Sequence, residues 1–246
     1  MTDDRAEAIL FLKQIAEGEP EITLDSVLEP SAPAQIISTT TASPEYEDRA
    51  RRLAEVAKIA HVCTLCELSR SRNKVVFGVG NPVARLMFVG EAPGADEDRQ
   101  GEPFVGRAGQ LLTKIIGAMG LERSDVYIAN ILKCRPPDNR NPLPHEAAAC
   151  KPYLKQQIEI INPEVMVAVG LVAATHLLNL PPTTAVKDLR GRILNYNDRP
   201  LVVTYHPAAL LRNPALKAPT WQDMQVVMKL LSGELKWAGK EKDSFL

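Results

Sequence analysis

Aromatic side chains are scarce in this sequence, and charge of one sign does not dominate. Only 5% of the 246 residues are Phe, Trp or Tyr, and the formal net charge is -1. The balanced charge excludes a protein that binds nucleic acid through its overall field, so such binding would need a local group of Lys and Arg. The hydrophobic content of 45% still allows a sizeable core, built mainly from aliphatic residues.

Long apolar runs are also missing. No run approaches the roughly 20 residues that a membrane helix needs. The first residues, "MTDDRAEAILFLKQIAEGEP", start acidic and carry no cleavage-site pattern, so we expect no signal peptide and a cytoplasmic location. Thiols stay reduced in that compartment, and the four cysteines are therefore expected to be ligands or bystanders rather than disulfides.

The pattern of residues predicts three parts of the chain. Residues 3–16 read as a short amphipathic helix, and the Ser-, Thr- and Pro-rich residues that follow read as a linker. A helix is predicted to begin near Ser43 and Pro44, a capping residue followed by a proline in the first turn. We expect an N-terminal helix and flexible linker over 1–45, the main domain over 46–235 and a tail over 236–246.

Four short apolar runs indicate buried strands separated by helices. The runs are "RLMFV" (85–89), "VYIAN" (126–130), "VMVAVG" (165–170) and "LVVTYH" (201–206). Helical patterns are predicted at 108–119, 144–161, 171–178 and about 220–231. This alternation is typical of an α/β fold with a parallel sheet covered on both faces. In such sheets the ligand binds beyond the carboxyl ends of the strands.

The cysteines have the spacing of a metal site. Cys63 and Cys66 form a CxxC pair, and Cys134 and Cys150 follow far along the chain. Four thiolates could hold zinc or an iron–sulfur cluster, or the residues could be two unrelated buried pairs. The second pair lacks the CxxC spacing that is typical of zinc ribbons, which favours an iron–sulfur cluster over zinc.

Several other candidate residues follow strand ends. Glu91 and Glu97, in the stretch that opens with "GEAPG", could act as bases or be solvated acids. Asn130 could read the edge of a ligand or cap a turn, and His206 could donate to a developing oxyanion or be structural. Phe104 lies among turn residues and is either a stacking ring or part of the core.

The segment "HPAALLRNP" offers contacts for nucleic acid. Leu210 and Leu211 would form an apolar wedge if exposed, or pack on a core-facing helical turn, and Arg212 could meet a phosphate. Basic residues near the strand ends could form the local patch that binding requires or be scattered solvated charges. They are Lys133, Arg135, Arg140, Arg190, Arg192, Arg212 and Lys217.

Three long motifs resemble the family 4 uracil-DNA glycosylases, which are iron–sulfur members of their superfamily. They are "GEAPGADEDRQGEPFVGRAGQLL", "VYIANILKCRPPDNRNPLPHE" and "HPAALLRNP", within a similarity that covers roughly residues 50–235. The resemblance implies a three-layer α/β/α sandwich around a four-stranded parallel sheet. It also implies a 4Fe-4S cluster held by Cys63, Cys66, Cys134 and Cys150.

The same resemblance implies roles for the candidate residues. Phe104 would stack on uracil, Asn130 would read its polar edge, and His206 would face its O2. The backbone around Glu91 and Ala92 would contact the base, with Ala92 standing where some members have Gly. For the wedge that fills the space left by the extruded base, Leu210 is our candidate.

The implied activity is excision of uracil from DNA, which leaves an abasic site for base excision repair. A related branch has an Arg-rich insertion and forms a covalent adduct; this chain lacks the insertion, which favours hydrolysis. We expect a monomer, located at the nucleoid of a bacterial cytoplasm, that acts on uracil-containing single- or double-stranded DNA. The N-terminal extension could bind a protein partner. Rival hypotheses are a nucleotide hydrolase and a DNA-damage-binding or polymerase-associated module without turnover.

Overall fold

The described residues of the computed structural model are 43–181, 183–238 and 244–245. They form one mixed sheet with helices on both faces. The helix predicted over 3–16 and the linker after it lie outside these residues. Among the described helices, none is long and apolar enough to cross a membrane.

Four parallel strands form the centre of the sheet, and they are the four predicted from the apolar runs. They are β2 (Leu86–Gly90), β3 (Tyr127–Asn130), β4 (Val165–Val169) and β6 (Pro200–Thr204). Each is buried throughout, as expected for strands covered on both faces. The fold class is therefore confirmed as a three-layer α/β sandwich.

The sheet is wider than the four predicted strands. Short antiparallel strands extend both edges: β1 (Val79–Gly80), β5 (Arg192–Asn195) and β7 (Ser244–Phe245). Within the described residues the order is β1-β3-β2-β4-β6-β5-β7. Because Ser244–Phe245 pair with β5, the expected tail over 236–246 contributes the outermost strand.

The helices are close to the predicted ones, with three short additions. They are α1 (Pro44–His61), α2 (Ala95–Gln100), α3 (Arg107–Ala118), α4 (Pro144–Ile161), α5 (Leu171–Leu178), α6 (Val186–Leu189), α7 (Pro207–Arg212) and α8 (Lys217–Ser232). Ser43 caps α1 by accepting a hydrogen bond from the Tyr46 N–H at 3.2 Å, as its sequence predicts. The short helices α2 and α6 were not predicted, whereas α7 corresponds to the helical turn that was one of two alternatives for Leu210 and Leu211.

Alternate residues of each strand enter two separate cores. Met87 and Val89 pack with α1, α4 and α5 on one face, whereas Leu86 and Phe88 pack with α3, α7 and α8 on the other. The register pairs Gly90 with Asn130 in β2 and β3, and Val169 with Thr204 in β4 and β6. The carboxyl ends of these strands thus finish at matching levels and bring their loops together.

Candidate active site and cysteine centre

Asn130 ends β3 and points an unused acceptor into the site. The residue is 2% exposed, and its Oδ1 is buried without a hydrogen-bond partner among the described residues. Buried polar atoms nearly always have partners, because an unpaired one costs free energy. An amide oxygen left in this state is ready for a donor on a bound ligand.

Phe104 lies beside this amide in a strained loop. The residue is 7% exposed, and its backbone has a positive φ of 53°, which is uncommon for a residue with a side chain. The loop is held by Glu97, whose Oε1 accepts hydrogen bonds from the N–H groups of Val105 and Gly106, both at 2.9 Å. Arg123 also donates a hydrogen bond to the carbonyl of Pro103.

Two glycines lack the side chains that would otherwise collide with Phe104. A Cβ added to Gly90, at the end of β2, would lie 2.6 Å from Cζ of Phe104 and would also meet Oδ1 of Asn130. Both side chains therefore border the same small volume. A Cβ at Gly109, on α3, would overlap the backbone of Phe104. Side chains at these positions would force the ring or its loop to move.

His206 completes the group from the end of β6. Its ring centroid lies 5.7 Å from that of Phe104, at an interplanar angle of 32°. Its Nδ1 accepts a hydrogen bond from the N–H of Ala208 at 3.2 Å, which assigns the ring proton of a neutral imidazole to Nε2. Burial, together with the positive charge of Arg212, lowers the pKa of His206 to about 4, against a smaller raising effect of Glu97. The ring is therefore a neutral donor at physiological pH.

The two acidic candidates have different surroundings. The Glu97 carboxylate accepts the two N–H groups already named and that of Gly94 at 3.1 Å, so its oxygens are engaged with the backbone. Glu91 is half-buried, and burial raises the pKa of its carboxyl. The main-chain carbonyl of Glu91 accepts from Leu132, which fixes the loop that carries Ala92 beside the end of β3.

The structure contradicts the expectation that Leu210 is the wedge residue. Leu210 is 1% exposed and packs in the core with α3 and α8, so it is not available to enter DNA. Leu211 is 43% exposed, and Arg212 beside it is also exposed. The reason is the helix α7, which begins at Pro207 and turns Leu210 towards the sheet. The alternative of a core-facing helical turn is correct for Leu210.

The basic patch also needs correction, since at least four of its residues have partners inside the protein, among them Arg135, whose Nε donates to Oδ1 of Asn139 at 2.8 Å. Lys133 is buried and donates hydrogen bonds to other protein groups. Arg190 pairs with buried Asp223 at 2.7 Å, and Arg140 pairs with Glu146. These side chains are engaged in hydrogen bonds and ion pairs within the protein, whereas Arg212 is an exposed cation near His206.

The four cysteines line one cavity, although they come from three segments. Cys63 and Cys66 follow α1, Cys134 follows β3, and Cys150 lies on α4. Arg72 donates a hydrogen bond to Sγ of Cys134 at 3.3 Å. Burial raises the pKa of Cys150 to about 11, so thiolates there need a bound cation to compensate their charge. Four convergent sulfurs beside cationic side chains fit a metal or iron–sulfur centre.

Sequence reasoning missed the packing roles of several residues that shape the site. Gly90 and Gly170 each stand at the end of a parallel strand, and a Cβ at Gly170 would lie 3.1 Å from Cβ of His206. Glycine at the carboxyl end of two parallel strands was the available signal, because ligands bind at that edge. Arg123 gave no such signal, since it lies far from Pro103 in the sequence.

Comparison with known proteins shows the family to which the chain belongs. The family model described as the uracil DNA glycosylase superfamily matches residues 77–225. That range contains the ends of all four parallel strands, and the chain belongs to this superfamily.

Within the superfamily, several relatives with more than 40% identity are type-4 uracil-DNA glycosylases. The type-4 uracil-DNA glycosylase of Archaeoglobus fulgidus is 41% identical over 184 residues, which cover 72% of this chain and 92% of that protein. The type-4 enzyme of Thermotoga maritima is 48% identical over 152 residues, covering 61% and 79%. That of Pyrobaculum aerophilum is 44% identical over 180 residues, covering 70% and 91%. The chain is thus a member of the type-4 branch.

Proposed function

We propose that this chain excises uracil from DNA by holding one extruded base between Phe104, Asn130 and His206. Membership of the type-4 family supports this activity. The reaction is hydrolysis of the bond between uracil and deoxyribose, a step of DNA repair. The observation that supports the site is the buried, unpartnered Oδ1 of Asn130 beside an aromatic ring and a neutral imidazole.

Asn130 distinguishes uracil from cytosine by its hydrogen-bonding pattern. Its Oδ1 accepts from N3–H of uracil, and its Nδ2 donates to O4. Cytosine has an acceptor at N3 and a donor at N4, so both contacts would be mismatched. Each buried group left unpaired costs about 1–3 kcal/mol, which is enough for strong selection.

Phe104 supplies a face on which the base stacks once it has left the duplex. Extrusion costs a few kcal/mol, least at a mismatch or in a single strand, and contacts in the pocket offset this cost. The ring can perform this task only if its loop is fixed before the base arrives. Glu97 provides that support through its hydrogen bonds to Val105 and Gly106, and we assign it to bracing.

His206 stabilises the charge that develops when the base leaves. Cleavage of the glycosidic bond leaves positive charge on the sugar and negative charge on uracil. The Nε2–H of neutral His206 donates to O2 of the departing base and needs no change of protonation. Removal of one such donor typically slows an enzyme by about 10²–10³.

Glu91 is the acidic residue that we assign to the sugar side of the reaction. Among the described residues, none donates a hydrogen bond to the Glu91 carboxylate, whereas Glu97 accepts several. Glu91 lies at the start of the loop after β2. We propose that it orients the attacking water or stabilises the sugar cation, while the backbone of Ala92 contacts the base.

The cysteine centre fits a 4Fe-4S cluster held by Cys63, Cys66, Cys134 and Cys150. When bound, the cluster supplies cross-links between the segment after α1, the loop after β3 and α4. Hydrolysis needs no electron transfer. These residues therefore brace the loops that carry Asn130 and the DNA-facing side chains, and they do not take part in the reaction.

Leu211 and Arg212 are our candidates for DNA contact at the rim. The exposed leucine can enter the space that the base leaves, and the guanidinium can meet a backbone phosphate. We further propose that the chain acts as a monomer in the cytoplasm, where it meets chromosomal DNA, and that residues 1–45 bind a protein partner. Comparing full-length protein with a chain starting at Pro44, for activity and for captured partners, tests that last point.

One assay tests the proposed activity. The protein is incubated with otherwise identical single- and double-stranded DNA that contains uracil, cytosine or thymine at one position. Free uracil and abasic sites should form only from the uracil-containing strands. Release of phosphate would indicate a nucleotide hydrolase, and binding without release of a base would indicate a module that lacks turnover.

A further inference from the structure

Lys133 is enclosed beside the cysteine cavity, although it carries an ammonium group. It is 2% exposed and helps to line the cavity that the four cysteines share. Its Nζ donates hydrogen bonds to the main-chain carbonyl of Asn130 at 2.9 Å and to Oε1 of Gln157 at 2.5 Å. A buried ammonium is unfavourable unless such contacts compensate it, so its position requires an explanation.

The contact with Asn130 fixes the peptide group that follows this residue. The carbonyl of that group accepts from Lys133, and its N–H, which belongs to Ile131, donates to the carbonyl of Gly90 at 2.9 Å. Both polar ends of one peptide plane are therefore held. Asn130 is the last residue of β3, so these two contacts fix its main chain at the strand end and with it the direction in which its side chain leaves the backbone.

Gln157 anchors the other side of Lys133. The side chain is fully buried, and its Nε2 donates to the carbonyl of Phe77 at 2.8 Å and to Oη of Tyr127 at 3.1 Å. Cys150 lies on the same helix, α4, about two turns earlier. Cys134 follows Lys133 directly in the sequence. Lys133 therefore connects Asn130 to two segments that each carry one of the cysteines.

We propose that Lys133 is a positioning residue that links the cysteine centre to the base-reading amide, an inference that rests on the proposed role of Asn130. Fixing Cys134 and Cys150 fixes Lys133 and Gln157, and Lys133 in turn holds Asn130 in the orientation that meets uracil. The cysteine centre then contributes to base recognition although it lies outside the base pocket.

A purely electrostatic role for Lys133 leads to different behaviour. If its charge only compensated the thiolates, its removal would lower the metal content, and activity would fall in proportion. A positioning residue instead sets the affinity of the pocket for uracil, while the metal stays bound. Free uracil is a suitable probe because it occupies the pocket without DNA or chemistry.

The test compares Lys133→Met with Lys151→Met, which replaces an exposed lysine on α4. Iron per chain, the inhibition constant of free uracil, kcat and KM for single-stranded DNA are measured for both. We expect Lys133→Met to keep its iron and its KM while binding free uracil about tenfold more weakly, with a similar fall in kcat. Lys151→Met should behave as wild type.

Loss of iron in step with activity, or wild-type affinity for uracil, would overturn the role of Lys133. If Lys133→Met does not fold, Gln157→Met decides, since it removes the anchor but keeps the lysine; it should weaken uracil binding in the same way. Asn130→Asp is measured alongside. Unchanged uracil affinity in that variant would contradict the base-reading role itself, whereas a loss seen there alone would contradict only the role of Lys133.

Discussion

Gly90 lies directly against the edge of the Phe104 ring. A Cβ at position 90 would come within 2.6 Å of Cζ of that ring and would also meet Oδ1 of Asn130. The end of β2 is thus a wall of the proposed base pocket, and position 90 must lack a side chain for the ring and the amide to lie side by side.

Gly90→Ala should abolish most activity and leave the fold intact. The added methyl group must displace the ring or the amide, and a shift of about 1 Å can cost on the order of 100-fold in rate. Single-turnover release of uracil, with thermal unfolding of the same samples, measures both effects. Gly117→Ala is the control, because a Cβ there meets nothing within 4 Å. Equal activity of the two variants would contradict the shape of the pocket.

Glu91→Gln and Glu97→Gln should fail in different ways. Glu97→Gln places an amide against backbone N–H groups and should lower the free energy of unfolding by about 1–3 kcal/mol, or about 2–4 °C in Tm for each kcal/mol. Glu91→Gln should lower kcat by about 10²–10⁴ at unchanged Tm. Steady-state kinetics and calorimetry separate the two. A normal Tm with a large loss of kcat in Glu97→Gln would reassign the catalytic carboxylate.

The neutral state of His206 has a consequence for stability at acid pH. Its pKa in the folded chain is about 4, below the 6.5 of an ordinary histidine, because of burial and Arg212. As the pH falls, the histidine of the unfolded chain binds a proton more readily than that of the folded chain. The stability that depends on a neutral His206 is therefore complete above about pH 6.5 and is lost as the pH falls towards about 4. The free energy of unfolding, measured with denaturant, should fall between about pH 7 and about pH 5 by about 2 kcal/mol more in wild type than in His206→Asn. Equal losses in both proteins would show that the ring is not held neutral.

Loss of one cysteine should remove the metal and weaken the fold. Wild type should contain about four iron atoms per chain and absorb visible light through its iron–thiolate bonds. Cys150→Ser should lose most of this absorbance and unfold at lower temperature, since α4 is no longer tied to the other segments. Thr64→Ser, inside the CxxC pair, should keep both properties. Colourless wild-type protein with bound zinc would contradict the cluster.

Much of the fold could be predicted from the sequence because its strongest signals are local. Continuous apolar runs mark the four parallel strands, and α4 and α5 begin and end where predicted. Both end at an asparagine, Asn162 or Asn179, in the left-handed conformation that closes a helix. The edge strands were not predictable, since β1 has two residues and β5 is partly exposed, and their pairing depends on distant partners.

The site was only partly predictable for the same reason. Asn130 and His206 follow recognisable strands, whereas the burial of Lys133 depends on Gln157, which lies 24 residues away. A lysine between an apolar run and a cysteine reads as a surface cation until its partners are known. The choice between Leu210 and Leu211 depends on the start of α7, a helix of six residues that has little periodicity to detect.

The most direct test concerns Asn130, because it is the residue to which we assign the distinction between uracil and cytosine. Release of uracil and of cytosine from matched single-stranded DNA is measured for wild type and for Asn130→Asp, with Asn139→Asp as an exposed control. An ionised carboxylate only accepts hydrogen bonds, so uracil release should fall sharply and the preference for uracil over cytosine should shrink by about tenfold or more. Unchanged preference in Asn130→Asp would contradict the central claim that this amide recognises uracil.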